Sequence, residues 1–303
     1  MLRAALLGAA GNRGLARFVT KHGRSFGAYR FVAGETLDEF MRVVASTNAA
    51  GMRVAAGLLG EDVTDRAAAI AVAREYEGVL DRFATARSNA NVALKLTHLG
   101  LAIDRDLAAS NVEAVVRHAA PSGNFVRIDM EQSAHTSTTL AIYRGLRARG
   151  LDNTGTVLQA YLYRSEADLE SLLDLSPNLR LVKGAYLEPA AVAYPHKRDV
   201  DKAYVRLIET SLQRGGFTAI ATHDDAVIEH SIDFIASKGV REGTYEFQML
   251  YGVRPKLQAD VVRRGHPLRI AVPFGSQWYP YFIRRLAERP ANVAFLLSSM
   301  WRG

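Results

Sequence analysis

From residue 50 onward, short runs rich in apolar and β-branched residues alternate with longer stretches whose apolar positions recur every three or four residues. The short runs, at 53–59, 92–96, 125–130, 156–162, 181–185, 218–222, 245–250 and 269–274, predict eight strands. The helical stretches between them include 111–119, 136–149, 166–173, 199–214 and 226–238. Strands alternating with helices at this spacing imply right-handed crossovers and a parallel sheet. Eight such units in about 250 residues fit an α/β fold closed into a (βα)8 barrel. An open doubly wound sheet is the alternative, but it usually carries a glycine-rich phosphate loop after its first strand. The one candidate, Gly8 with Gly11 and Gly14, has the wrong spacing and follows no strand.

The division that follows is a helical arm over residues 1–50 and a barrel over 51–303. The first 34 residues hold Arg3, Arg13, Arg17, Lys21, Arg24 and Arg30 and no acid. Coating the barrel is the role this arm suggests. A weak peripheral contact with a membrane surface, through Leu2, Leu6 and Leu7, is the second role open to it. No apolar run approaches the length of about 20 residues that crosses a bilayer, so the expected location is the cytoplasm, at most peripheral at the inner membrane face.

The chain has 303 residues, 38 basic against 31 acidic, a net charge of +7 and no cysteine. Disulfides, thiolate catalysis and cysteine-ligated metal are therefore excluded. The mild positive excess shows no Lys/Arg stripe with interleaved aromatics, which argues against nucleic acid as a partner. The eight histidines lack any metal-ligand spacing, so no metal is expected.

In a barrel, chemistry gathers at the C-terminal ends of the strands. Glu61 follows the first predicted strand, Lys95 and His98 the second, and Asp129 and Glu131 the third. Gln159 and Tyr161 lie on the fourth, Lys183 and Tyr186 end the fifth, Thr222, His223 and Asp224 close the sixth, and Gln248 lies on the seventh. One such residue alone is a satisfied core polar group. So many on one rim point to a site, because each buried polar group must find a partner. Beyond the last strand comes Gly-Ser-Gln-Trp-Tyr-Pro-Tyr-Phe-Ile-Arg-Arg-Leu-Ala-Glu-Arg-Pro, residues 275–290. Tyr281, Arg284, Arg285 and Glu288 fall at i, i+3, i+4 and i+7, on one helical face. Two guanidinium forks beside an aromatic ring suit a small carboxylate with an apolar body.

These segments resemble the proline dehydrogenases. The resemblance rests on Val-Ala-Leu-Lys-Leu-Thr-His-Leu-Gly at 92–100, Val-Arg-Ile-Asp-Met-Glu at 126–131 and Leu-Gln-Ala-Tyr-Leu-Tyr-Arg at 158–164. It continues through Arg-Leu-Val-Lys-Gly-Ala-Tyr at 180–186, Ala-Thr-His-Asp at 221–224 and Tyr-Glu-Phe-Gln-Met-Leu-Tyr-Gly-Val-Arg at 245–254. The most specific segment is Tyr-Phe-Ile-Arg-Arg-Leu-Ala-Glu-Arg-Pro at 281–290. The pieces run in family order from about residue 53 to 300, at the length of the short monofunctional bacterial type.

The resemblance implies a distorted (βα)8 barrel with the last helix over its mouth. It implies non-covalent FAD, hydride transfer from L-proline to the flavin, formation of 1-pyrroline-5-carboxylate, and a membrane quinone as electron acceptor. By the same resemblance Arg284 and Arg285 hold the substrate carboxylate with Lys95 as a third cation, and Tyr186, Leu250 and Tyr281 wall the ring. Asp129 organises the site beneath the substrate, Glu288 steadies the arginine helix, and Glu61 pairs with Arg284 to close the pocket. Met130, Gln159, Val182, Lys183, Gly184, Ala185, Thr222 and His223 contact FAD, with Arg180 near the reactive flavin edge.

One position departs from the family pattern. Where the family reads Arg-x-Tyr-Val-Pro-Phe/Tyr-Gly, residues 269–275 place Ala271 at the tyrosine. Losing that ring opens space of roughly 100 Å³, within the scale of ligand pockets, and forgoes on the order of 1–3 kcal/mol of packing. Two expectations follow. Either the enzyme accepts a larger or more polar ring (4-hydroxyproline, pipecolate or an N-substituted proline), or Phe274 or Tyr251 fills the gap and proline remains the substrate. Two more distant readings are a barrel aldolase with Lys183 as a Schiff-base lysine and a non-catalytic ligand sensor.

Overall fold

A capping box opens the first described helix: Thr36 accepts from Glu39 N through its hydroxyl while the Glu39 carboxylate takes the Thr36 N–H, starting α1 (Leu37–Ala49). The computed structural model of the chain describes residues 28–288, with side chains from 29 to 285. Most of the basic arm, including Leu2, Leu6 and Leu7, lies outside the described residues.

Eight parallel strands close into a barrel in sequence order. They are β1 (Arg53–Leu58), β2 (Ala90–Leu94), β3 (Val126–Ile128), β4 (Thr154–Gln159), β5 (Asn178–Val182), β6 (Phe217–Ala221), β7 (Tyr245–Leu250) and β8 (Leu268–Phe274). The ring is shut by β1 against β8, with Arg53 opposite Arg269 and Ala55 opposite Ala271. Around it run α2 (Arg66–Thr85), α3 (Arg105–Ala119), α4 (Thr136–Ala148), α5 (Ser165–Leu172), α6 (Lys197–Arg214), α7 (Asp225–Lys238), α8 (Pro255–Arg263) and α9 (Trp278–Glu288). α2 and α8 fall outside the helical stretches named from the sequence.

Outward-facing strand residues and inward-facing helix residues form one apolar layer. Val92 and Leu94, Leu179 and Leu181, and Ile270 and Val272 meet Tyr76, Leu80, Val112, Val115, Tyr204 and Leu207 within it. The arm's last helix belongs to this layer, since Phe40 of α1 stacks on Phe274 of β8 at 4.2 Å between ring centres. Four strands begin and end earlier than the sequence suggests: β6 by one residue, β2 by two, β5 by three, and β4 by two at its start and three at its end. On β5 the inward positions Asn178 and Arg180 are polar, so an apolar run is a poor guide to where it begins. At its end Gly184 takes φ +114°, a conformation only glycine adopts without strain, and the chain turns away. Among the described residues no helix is long and apolar enough to cross a membrane.

Candidate active site

Polar residues gather where several strands end. Lys95 and Asp129 each follow the last residue of their strand, Gln159 is the last of β4, and Lys183, Gly184, Ala185 and Tyr186 continue beyond β5. Backbone groups freed from the ladder there can turn toward a ligand. The far wall is α9. Trp278, Phe282 and Ile283 sink into an apolar cluster with Phe31 and Val32, and Trp278 Nε1 donates to Glu35 at 2.8 Å. That seating turns Tyr281, Arg284 and Arg285 to the barrel mouth, with the Arg285 guanidinium 5.1 Å from the centre of the Tyr281 ring.

The mouth holds a cleft of two lobes. The larger, of about 740 Å³, is bordered by Met130, Gln159, Val182, Lys183, Gly184, Thr222 and His223. The smaller, of about 570 Å³, is bordered by Glu61, Tyr281 and Arg284. Lys95, Asp129, Arg180, Ala185, Tyr186, Leu250, Ala271 and Arg285 line both, so they form the junction. Every residue to which the family resemblance gives a role borders one lobe or both except Glu288, whereas the rim residues His98, Glu131 and Tyr161 border neither. Glu288 ends α9, and its side chain lies outside the described residues.

Charge is concentrated at the junction. Glu61 accepts from Lys95 Nζ at 2.7 Å and from Arg284 Nη1 at 2.7 Å, although 223 residues separate it from Arg284. Burial alone would raise its pKa, but the Lys95 and Arg284 charges overcome that and hold the carboxyl down at about 2. Arg180 Nη1 donates to Asp129 Oδ1 at 2.5 Å and its Nε to Gln248 Oε1 at 2.7 Å. The Tyr186 hydroxyl is pushed up by burial and then by the Glu131, Glu61 and Asp129 carboxylates, so it remains a phenol.

At the outer end of the larger lobe, Lys183 Nζ donates to Asp201 at 2.5 Å and to Asp224 at 2.7 Å. Asp224 also caps α7 through Ala226 N. Both carboxylates hold the amine in ion pairs, whereas a Schiff-base lysine must be free to attack a carbonyl. His223 Nε2 accepts from Leu250 N at 3.0 Å, tying the loop after β6 to β7.

Several rim residues turn out to be scaffolding. Glu131 is buried and spends its carboxylate on Thr97 N at 3.0 Å and Thr97 Oγ1 at 2.6 Å. His98, 3% exposed, packs on Gly60 and keeps Nδ1 without a hydrogen-bond partner among the described residues. The Tyr161 ring lies against Gly184, leaving no space for a Cβ there. Neither residue expected to fill the gap at Ala271 does so. Phe274 faces outward onto Phe40, and Tyr251 borders a separate outer hollow beside Tyr29 and Arg42. Tyr76 and Gln132, both lining the smaller lobe, were missed from the sequence, as was the inward column of Arg53, Arg127, Glu246 and Arg269. The readable signal was a charged residue in the middle of a strand. Among the described residues no group of three or more His, Asp or Glu side chains is placed to hold a metal.

The arrangement suits a flat apolar body in the larger lobe, beside the Arg180 guanidinium, and a small carboxylate ligand among Lys95, Arg284 and Arg285 in the smaller. Comparison with known proteins points the same way. The family model described as Proline dehydrogenase matches residues 40–298. The chain is 41% identical over 300 residues to Proline dehydrogenase 1 of Bacillus subtilis (strain 168), covering 99% of each chain. It is 40% identical over 280 residues to Proline dehydrogenase of Deinococcus radiodurans, covering 91% of this chain and 90% of that one. Its fold is similar to the crystal structure of proline utilization A from Bdellovibrio bacteriovorus, with a TM-score of 0.84 at 23% identity. That match covers 94% of this chain and 36% of the longer protein.

Proposed function

Because this chain belongs to the proline dehydrogenase family, we propose that it oxidises L-proline to 1-pyrroline-5-carboxylate, with FAD held non-covalently in the larger lobe and a membrane quinone as final acceptor. The observation that carries the reading is the junction itself: eight residues line both lobes, so a ring in one lies against a group in the other. When bound, the flavin supplies the acceptor for the hydride that proline loses as its ring C–N bond becomes C=N.

The residues of the chain do the rest by position and charge. Arg284, Arg285 and Lys95 bind the carboxylate, and Tyr186, Tyr281 and Leu250 enclose the ring and exclude water. Asp129 holds Arg180 from one side, and Arg180 presents positive charge at the edge where negative charge develops. Met130, Gln159, Val182, Gly184, Ala185, Thr222 and His223 wall the cofactor, while Lys183 is tethered at its edge by Asp201 and Asp224. Glu61 closes the entrance through Arg284, and Glu288 steadies α9. The enzyme works in the cytoplasm and meets the quinone at the membrane face. Anaerobic addition of L-proline to the yellow protein should bleach the flavin, and a quinone analogue should restore its colour. A protein that takes up no FAD would sink the reading.

A second reading has its own support: Ala271 borders both lobes, and neither Phe274 nor Tyr251 lines them. The pocket then accepts 4-hydroxyproline, pipecolate or an N-substituted proline at least as well as proline. Ala271→Tyr should shift the preference toward proline by about tenfold, the worth of one aromatic contact. Proline winning by tenfold or more in the unaltered enzyme excludes this second reading.

A further inference from the structure

A barrel of this kind usually fills its axis with layers of branched apolar side chains. Here the axis is ionic. At its lower end Arg53 Nη1 donates to Glu246 Oε2 at 3.2 Å, and Arg269 Nε donates to Glu246 Oε1 at 2.7 Å. Glu246 is 1% exposed, and these two cations keep its carboxyl ionised against burial. One step higher on the same strand face stands Gln248, 4% exposed. Its Nε2 donates to Glu246 Oε1 at 2.7 Å, and its Oε1 accepts from Arg180 Nε at 2.7 Å. Arg180 Nη1 then reaches Asp129 at the floor of the cleft.

The direction of the Gln248 amide is dictated by its neighbours. A carboxylate can only accept and a guanidinium can only donate, so the amide nitrogen must face Glu246 and the oxygen Arg180. Only a side chain that donates at one end and accepts at the other can bridge the two. The bridge also fixes geometry: with Nε held by Gln248 and Nη1 by Asp129, the planar guanidinium has two anchors and cannot swivel.

We propose that Gln248, anchored on Glu246, is the positioning residue that sets the plane of the Arg180 guanidinium at the junction of the two lobes. The inference rests on the reading of Arg180 as the cation at the flavin edge. Partners that orient a functional group from behind typically control about 10- to 100-fold in activity.

The test uses the full-length FAD-loaded enzyme and three variants, Gln248→Met, Gln248→Glu and Arg180→Met, with two readouts: the flavin reduction potential and the rate of anaerobic reduction at saturating proline. Gln248→Met removes both hydrogen bonds at similar volume. Its reduction rate should fall by about tenfold and its potential should become more negative, with KM nearly unchanged because the carboxylate-binding cations are untouched. Gln248→Glu places two carboxyls in contact, which must share a proton. The shared proton restores a donor toward Glu246 and an acceptor toward Arg180. This variant should recover most of the rate at low pH and lose it as pH rises, although it is the less stable of the two. Rates that follow stability instead, with Gln248→Met above Gln248→Glu, overturn the inference. So does a wild-type rate and potential in Gln248→Met when Arg180→Met has lost both. Wild-type values in Arg180→Met as well would remove the Arg180 reading on which the inference stands.

Discussion

On β7, Phe247 turns outward into the apolar layer while Glu246 and Gln248, one residue to either side, turn inward into the ionic column. The same alternation runs through β5, with Leu179 and Leu181 outside and Asn178 and Arg180 inside. The outer face gains about 1.5–3 kcal/mol for each large side chain it buries, and that gain has no direction. The inner face gains little net stability, because desolvating charges offsets most of their attraction. It gains orientation instead. Small inward residues, among them Ala55, Ala93, Gly155, Ala219 and Ala271, leave room for the long side chains, and a Cβ at Gly155 would strike Arg127. Stability in this molecule is kept on one side of the wall and chemistry on the other.

Glu246→Ala would break the comparison most severely. It leaves Arg53 and Arg269 facing each other without a counter-charge, and should cost about 3–5 kcal/mol in denaturant unfolding. His98 gives the next largest effect. Burial, and then the Lys95 charge, push its pKa from 6.5 down to about 4, so the folded protein keeps the ring neutral where the unfolded chain takes up a proton. Stability present above pH 6.5 should therefore be lost as pH falls toward 4, at full extent roughly 3 kcal/mol. His98→Gln should flatten that slope in urea midpoints measured across the window. Glu131, which burial pushes the other way, is common to both proteins and cancels in the difference.

Arg284→Met, at the rim where the two rules meet, should raise KM for proline by roughly 10- to 100-fold, the worth of a lost charge-assisted contact. Its melting temperature should barely move, because the Arg284–Glu61 pair is about one-third exposed. The mildest case is Leu181→Met on the outer face. A volume-conserving exchange there should cost under about 1.5 kcal/mol and leave kinetics unchanged. A kinetic defect in Leu181→Met would show that the two faces are not separate.

Local periodicity made part of this readable in advance. Alternating short strands and amphipathic helices identified the barrel, and the spacing of Tyr281, Arg284 and Arg285 put them on one helical face. Lys95, Asp129, Lys183 and Thr222 were legible because polar residues clustered where strands had to end. Less legible was the role of each: Glu131 and His98 belong to the same rim motifs, yet one braces a loop and the other packs against Gly60.

What the sequence by itself determined was the set of residues that each strand and helix would offer to one face or the other, because that follows from a two-residue or 3.6-residue repeat and from the drive to bury apolar surface. Which of them would meet was decided only by closure of the barrel. Glu246 finds Arg53 across 193 residues, and Arg180 finds Gln248 across 68 and Asp129 across 51. Those pairings depend on the register between neighbouring strands and the level each side chain reaches on the axis. Both are properties of the closed ring, which no single segment carries.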